Sequence, residues 1–174
     1  GAERLGRAGV EVEFAGDPAP FAELNVEWVH AVTTGQPFVR VKAAVTLDAR
    51  PSLADGVRSS LTGRSARDLT MRLRSQADAV LVGTATAMID DPALTVRGPD
   101  GTLSPRQPRR FILTRTEQPR ADLRMLSDGS GPVTVLVPDA VGLEPALRAK
   151  GVIPLRYDAG GGVRAALTAL GRVG

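Results

Sequence analysis

No cysteine occurs in this chain, and it has a single histidine, His30. The first absence excludes disulfides and thiolate metal sites, and together the two argue against a zinc centre built from protein ligands. Aromatic residues make up only 3% of the sequence. Few platforms are therefore available for stacking bases, and no basic run exists to follow a phosphate backbone, so nucleic-acid binding is a poor reading. No apolar stretch approaches membrane-spanning length, and no charged-then-apolar leader opens the chain. The expectation is a soluble, cytoplasmic protein that uses no membrane. Lysine is scarce too. Lys42 and Lys150 are the only two among 22 basic residues, with a formal net charge of +3. Arginine forks suit bidentate phosphate recognition. Their dispersal along the chain, however, favours a GC-rich genome as the source of most of them.

What is present suffices for one compact domain: 174 residues, 43% hydrophobic, too short for two domains of ordinary size. The most informative stretch runs from Ala79 to Arg97. The apolar run Ala79–Val82 has the character of a strand buried on both faces. Gly83 ends it, and Thr84, Ala85 and Thr86 follow, so a ligand could approach the backbone closely. Asp90-Asp91-Pro92 and Thr95-Val96-Arg97 then bring carboxylates, a hydroxyl and a guanidinium into one turn-rich segment. Two readings stay open, a ligand site or ordinary turn chemistry, because the three spaced glycines of a dinucleotide fingerprint are absent.

Residues 1–20 read as the tail of something upstream followed by a linker. Ala2 to Ala8 suits the last turns of a helix, Val10 to Phe14 alternates as a half-buried strand, and Gly16 to Pro20 is stiff. The domain proper is expected over 21–174. A helix is predicted from Phe21 to about Val32 with Leu24, Trp28 and Val32 inward, and His30 packing or capping in its C-terminal half. Phe38 to Leu47 is predicted as a strand, with Val39, Val41, Ala43, Val45 and Leu47 on one face. Lys42 on the other face needs either an anionic partner or an edge position in solvent. Asp48 to Gly56 is a loop. Thr62 is a plausible N-cap for a helix over about Arg64 to Ala77, with Ala66, Leu69, Leu73 and Ala77 as its apolar stripe. With the strands at 38–47 and 79–82 this makes a right-handed crossover unit. After a Gly/Pro-rich loop at 98–108, strands are predicted at Phe111–Thr114, Val133–Val137 and Val152–Tyr157, and helices at Leu143–Lys150 and from Val163. Gly160-Gly161-Gly162 is either a phosphate-binding helix start or flexible punctuation. Strands alternating with helices argue for an α/β domain with a largely parallel sheet. The chain stops where another strand would be expected.

Four segments carry a more specific likeness: Lys42–Arg50 (Lys-Ala-Ala-Val-Thr-Leu-Asp-Ala-Arg), Leu61-Thr62-Gly63, Leu73–Gly83, and Asp-Asp-Pro-Ala-Leu-Thr-Val-Arg at 90–97. They resemble the reductase domain of the bacterial bifunctional riboflavin-biosynthesis deaminase–reductase. The resemblance implies a dihydrofolate-reductase-like α/β fold, a largely parallel sheet flanked by helices, with its C-terminal part missing. It implies reduction of the ribosyl side chain of 5-amino-6-(5-phosphoribosylamino)uracil to the ribitylamino product, with hydride from NADPH. Hydride transfer depends on orientation and exclusion of water more than on a strong acid or base, so a site without Cys or His is acceptable, and no catalytic acid or base is assigned.

By position, the resemblance puts Lys42 against substrate, Ala44 against cofactor, and Arg74 and Arg97 on the substrate phosphate. Thr86 and Asp90 would bond the cofactor, and Leu94 would line the substrate pocket. Gly56–Thr62 stands where the family reads Gly-Glu-Ser-x-Trp-Ile-Thr. Arg58 therefore takes the place of a substrate-binding Ser, Ser60 that of a cofactor-packing Trp, and Thr62 keeps the Thr on the cofactor side. The family's Glu-Gly-Gly segment is missing. So are the His-x-Glu and Pro-Cys-x-x-Cys of its zinc deaminase half, which is expected as an upstream partner, and a homo-oligomer is also expected. Arg58 and Ser60 motivate one alternative, a reductase of altered substrate acting on a pterin or nucleoside; another is a non-catalytic remnant whose sheet serves dimerisation or supports a partner deaminase.

Overall fold

The computed structural model describes residues 1–14, 16–54 and 56–173, and the chain divides into two units, Gly1–Val39 and Arg40–Gly174. The first unit holds three short helices: α1 (Ala2–Arg7), α2 (Ala19–Leu24) and α3 (Val26–Thr34). The single helix predicted over 21–32 is two. At the break, the Asn25 side-chain amide donates to the Phe21 carbonyl at 2.8 Å and the Asn25 N–H to the Ala22 carbonyl at 3.2 Å. Such local bonds compete with helix continuation. Leu24, Trp28 and Val32 are exposed rather than inward, Trp28 at 67%, because helical spacing creates an apolar stripe but not a surface to cover it. Val10–Phe14 is not a strand; its alternation has no ladder partner, and Val10, Val12 and Phe14 are exposed. α3 stops at Gly35, which takes the left-handed conformation (φ 66°) that L side chains avoid. The His30 ring meets Phe38 edge-on, centroids 5.7 Å apart.

The second unit is built on four parallel strands in the order β1 (Ala79–Gly83), β2 (Arg109–Leu113), β3 (Val133–Pro138), β4 (Ile153–Tyr157). β1 and β3 are short β-branched or apolar runs stopped by Gly or Pro, and β2 is apolar after Arg109 and Arg110, as buried parallel strands require; β4, Ile-Pro-Leu-Arg-Tyr, is largely exposed. Helices α4 (Arg64–Gln76), α5 (Thr84–Asp90), α6 (Pro145–Ala149) and α7 (Gly162–Gly171) complete it. Alternation along the strands makes two cores. Val80, Val82, Ile112, Val133, Val135 and Val137 pack with Ala87, Leu94, Leu123, Met125 and Leu147. Ala79, Leu81, Phe111, Leu113, Leu136 and Leu155 pack with Ala165, Ala166, Ala169 and Leu170 of α7. Each fully buried side chain of this size contributes about 1.5–3 kcal/mol.

Four expectations are corrected here. Residues 38–47 form no strand. Alternation specifies a face, but only a partner makes a ladder, and Val41 is 85% exposed. The segment ends instead in a turn, where the Thr46 N–H donates to the Arg50 carbonyl at 2.9 Å and the Ala49 N–H to the Thr46 carbonyl at 2.9 Å. The crossover therefore lacks its first strand. β1 pairs only with β2 among the described residues, so it is an edge strand, packed on both faces but half-buried rather than fully buried. Thr84–Asp90, read as loop, is a helix. The N-cap of α4 is Gly63, not Thr62, and its half-buried side comprises Thr70, Met71, Leu73, Arg74 and Ala77, while Ala66 and Leu69 face solvent.

Candidate active site

In a parallel α/β sheet, ligands bind beyond the carboxyl ends of the strands. Here those ends are tied together by hydroxyl groups. Thr84, just past β1, donates to the Leu113 carbonyl at 3.2 Å. Thr114, just past β2 and 1% exposed, donates to the Leu136 carbonyl at 2.9 Å. The Tyr157 phenol at the end of β4 donates to the Thr114 carbonyl at 2.6 Å. Burial raises the Tyr157 pKa above its ordinary value, and the positive charge of Arg115 partly opposes this. A cavity of about 270 Å³ lies at the other end of the sheet, between Gln107–Arg110, Ser130–Pro132, Thr134 and Ile153. It opens at the strands' amino ends, away from where a ligand is expected.

The Asp90–Arg97 loop is held from several sides. Its backbone takes the left-handed region at Asp91 (φ 40°) and Leu94 (φ 55°). Arg74 donates to the Thr95 carbonyl at 2.9 Å. Gln107 accepts from the Val96 N–H at 2.8 Å and donates to the Val96 carbonyl at 2.9 Å. Arg124 donates to the Asp91 carbonyl at 2.8 Å, and its own N–H reaches the Asp91 carboxylate at 2.8 Å. Arg110 donates to the Ala93 carbonyl at 3.1 Å.

The predicted site residues fall into two groups. Arg74, Asp90, Leu94 and Arg97 are in the loop or bonded to it. The Arg74 guanidinium gives one bond to Thr95, and desolvation lowers its pKa from the usual arginine value. Leu94 is 3% exposed and sits in the core. Arg97 is exposed and donates to the Gly101 carbonyl at 2.9 Å. Arg74 and Arg97 thus have separate carbonyl partners. Thr86 is exposed on α5, four residues before the half-buried Asp90 and on the same side of the helix. The second group lies before α4. Lys42, Arg58 and Ser60 are exposed, and Ala44 and Thr62 half-buried; Ser60 accepts a hydrogen bond from the Arg67 guanidinium. The Gly160–Gly162 run has a carboxylate already at its amides, since Asp158 accepts from the Gly160 N–H at 2.9 Å. A Cβ on Gly161 would come within 2.7 Å of the Ala165 side chain. Packing, not an anion, accounts for that glycine.

Sequence reasoning missed Arg110, Asp128, Gln107 and Arg124. The bonds by which they hold the loop and pair in the core span between 11 and 33 positions, so no local spacing announces them. The strand expected at Phe111–Thr114 left Arg110 outside it; only the earlier start of β2, at Arg109, carries Arg110 into the ladder, where burial forces the cation to find a carboxylate.

Four parallel strands with helices on both faces, carbonyl-clamped at the loop beyond β1, define an α/β protein of the dihydrofolate-reductase-like class. Residues 37–170 match the RibD C-terminal domain, and the chain belongs to that family. It is 40% identical over 130 residues to the riboflavin biosynthesis protein RibD of Mycobacterium tuberculosis H37Rv, covering 74% of this chain and 38% of that one. With Corynebacterium ammoniagenes RibD it shares 38% identity over 115 residues, 66% of this chain and 34% of the relative. Acinetobacter baumannii RibD superposes with a TM-score of 0.80 at 30% identity, covering 99% of this chain and 47% of the other. A Thermotoga maritima diaminohydroxyphosphoribosylaminopyrimidine deaminase/5-amino-6-(5-phosphoribosylamino)uracil reductase superposes at 0.72 and 25% identity. The chain spans under half the length of each of these relatives. Among the described residues no helix is long and apolar enough to cross a membrane.

Proposed function

We propose that this domain carries the reductase chemistry of its family: NADPH-dependent reduction of the ribosyl side chain of 5-amino-6-(5-phosphoribosylamino)uracil, in the cytoplasm and beside a deaminase domain. The family match over residues 37–170 carries the reading. The donor set at the strand ends fits a phosphorylated nucleotide. Gly83 is exposed with open space where a Cβ would be, Thr86 and Asp90 share a side of α5, and the exposed Arg115 follows β2. Bound there, NADPH would supply the hydride. The chain's own residues would bind and orient: Thr86 and Asp90 on the cofactor side with Ala44, Ser60 and Thr62, and Arg97, Arg74, Lys42, Arg58 and Leu94 on the substrate side. Arg97 is the best placed of these for a phosphate, because its exposed guanidinium gives up only one carbonyl bond to do so. The hydrogen-bonded strand ends, with Thr114 and Tyr157 buried, favour hydride transfer by positioning rather than by proton transfer.

NADPH titration by calorimetry and loss of NADPH absorbance with the phosphoribosylaminopyrimidine test the reading. Arg97→Ala is expected to raise KM for the substrate about tenfold, the worth of one charge-assisted bond, and to leave NADPH affinity within about twofold. A chain that binds neither ligand would overturn the proposal.

A further inference from the structure

Leu94 combines two features that rarely coincide, a core side chain and a left-handed backbone. With Asp91 it makes two non-glycine residues of positive φ within four positions of the loop. Residues persist in such conformations when their surroundings over-determine them. Here the deepest constraint is Arg110. Its side chain is 2% exposed and meets Asp128, itself 11% exposed, through both carboxylate oxygens at 3.0 and 2.8 Å. From that seat the same guanidinium donates to the Ala93 carbonyl at 3.1 Å, between the two left-handed residues, and to the Gly131 carbonyl. Its Nε has no partner. Arg110 stands in register with Val80 and Val133 on the flanking strands, where an aliphatic side chain would pack without any desolvation penalty. A cation in that position is spent on geometry. A fork with fixed donor directions can serve three acceptors at once, whereas a lysine ammonium on a flexible stem cannot hold the same directions.

We propose that Arg110, seated on Asp128, is a positioning residue: by holding the Ala93 carbonyl it sets the left-handed turn at Asp91–Leu94 and so the direction in which Asp90 and Arg97 leave the loop. The proposal rests on the reading of this loop as part of the reductase site. Arg110→Met and Arg110→Lys in the full chain test it, the lysine variant keeping the charge opposite Asp128 in case the methionine variant does not fold. Hydrogen exchange followed by mass spectrometry should show amides of residues 93–97 exchanging about ten- to hundredfold faster, as loss of a charge-assisted bond allows, with β2 and β3 still protected. KM for the phosphorylated pyrimidine should rise about tenfold while kcat changes by less than about threefold. Exchange rising equally through β2 and β3 would make Arg110 a core residue and nothing more. Unchanged exchange in the loop, or a loosened loop with unchanged KM, would equally overturn the proposal. If the wild-type chain neither binds nor oxidises NADPH, the functional reading falls by itself, and the exchange pattern still decides whether Arg110 sets the loop.

Discussion

Within the second unit, residues 79–171 and residues 40–77 have similar secondary-structure signals and different fates. The first region has alternating strands whose both faces are covered, by Ala87 and Leu147 on one side and α7 on the other. The second has an equally alternating segment at 40–47 and an amphipathic helix α4, yet none of α4's residues is buried, and Val41, Val45 and Leu69 lie exposed. The difference lies in partners rather than in pattern. An apolar stripe contributes stability only when another surface removes it from water.

That contrast can be broken by mutation. The largest effect is expected from Phe111→Ala: the side chain is 1% exposed in the core under α7, so the loss should be about 3–5 kcal/mol, measured by denaturant unfolding. A loss below about 1 kcal/mol would mean the region is less well packed than described. Limited proteolysis should sharpen the same contrast, cutting first between residues 40 and 60, where backbone is exposed, before any cut in β1–β4.

Tyr157→Phe should come next, removing the bond to the Thr114 carbonyl for about 1 kcal/mol. It should also change the alkaline limb. Burial raises the phenol's pKa, so the folded protein holds that proton more tightly than the unfolded chain. Stability from this group is complete below about pH 10 and is lost as pH rises through the raised folded pKa. The phenylalanine variant should show a flatter decline above about pH 10 in thermal melts; an identical decline would mean the phenol is not what titrates. The smallest effect is expected from Leu69→Ala, within about 0.5 kcal/mol of wild type. A larger loss would show that α4 is covered in solution.

Much of the fold was legible. Val133–Val137 and Phe111–Thr114 read as strands because β-branched and apolar runs bounded by Pro or polar residues suit few other structures. Both emerge within two residues of their predicted limits. α7 and α4 were similarly visible from helical spacing. Of the candidate site, the Asp90–Arg97 motif marked out one loop, but not what holds it. Asp91 and Leu94 as left-handed residues could not be foreseen, since neither is glycine. The loop that carries them is bonded to donors as far away as Arg110 and Arg124.

Composition, patterning and motif settled the α/β class, the parallel order of short buried strands and the family likeness, because these depend on residue type and short-range spacing. The tertiary structure alone decided that Val39–Leu47 stays without a ladder while Arg109–Leu113 gains two, and that Arg110 rather than Arg97 is the buried cation. Strand pairing and ion pairing across a core join residues distant in sequence. Which of several equivalent candidates finds its partner is fixed only when the chain closes on itself.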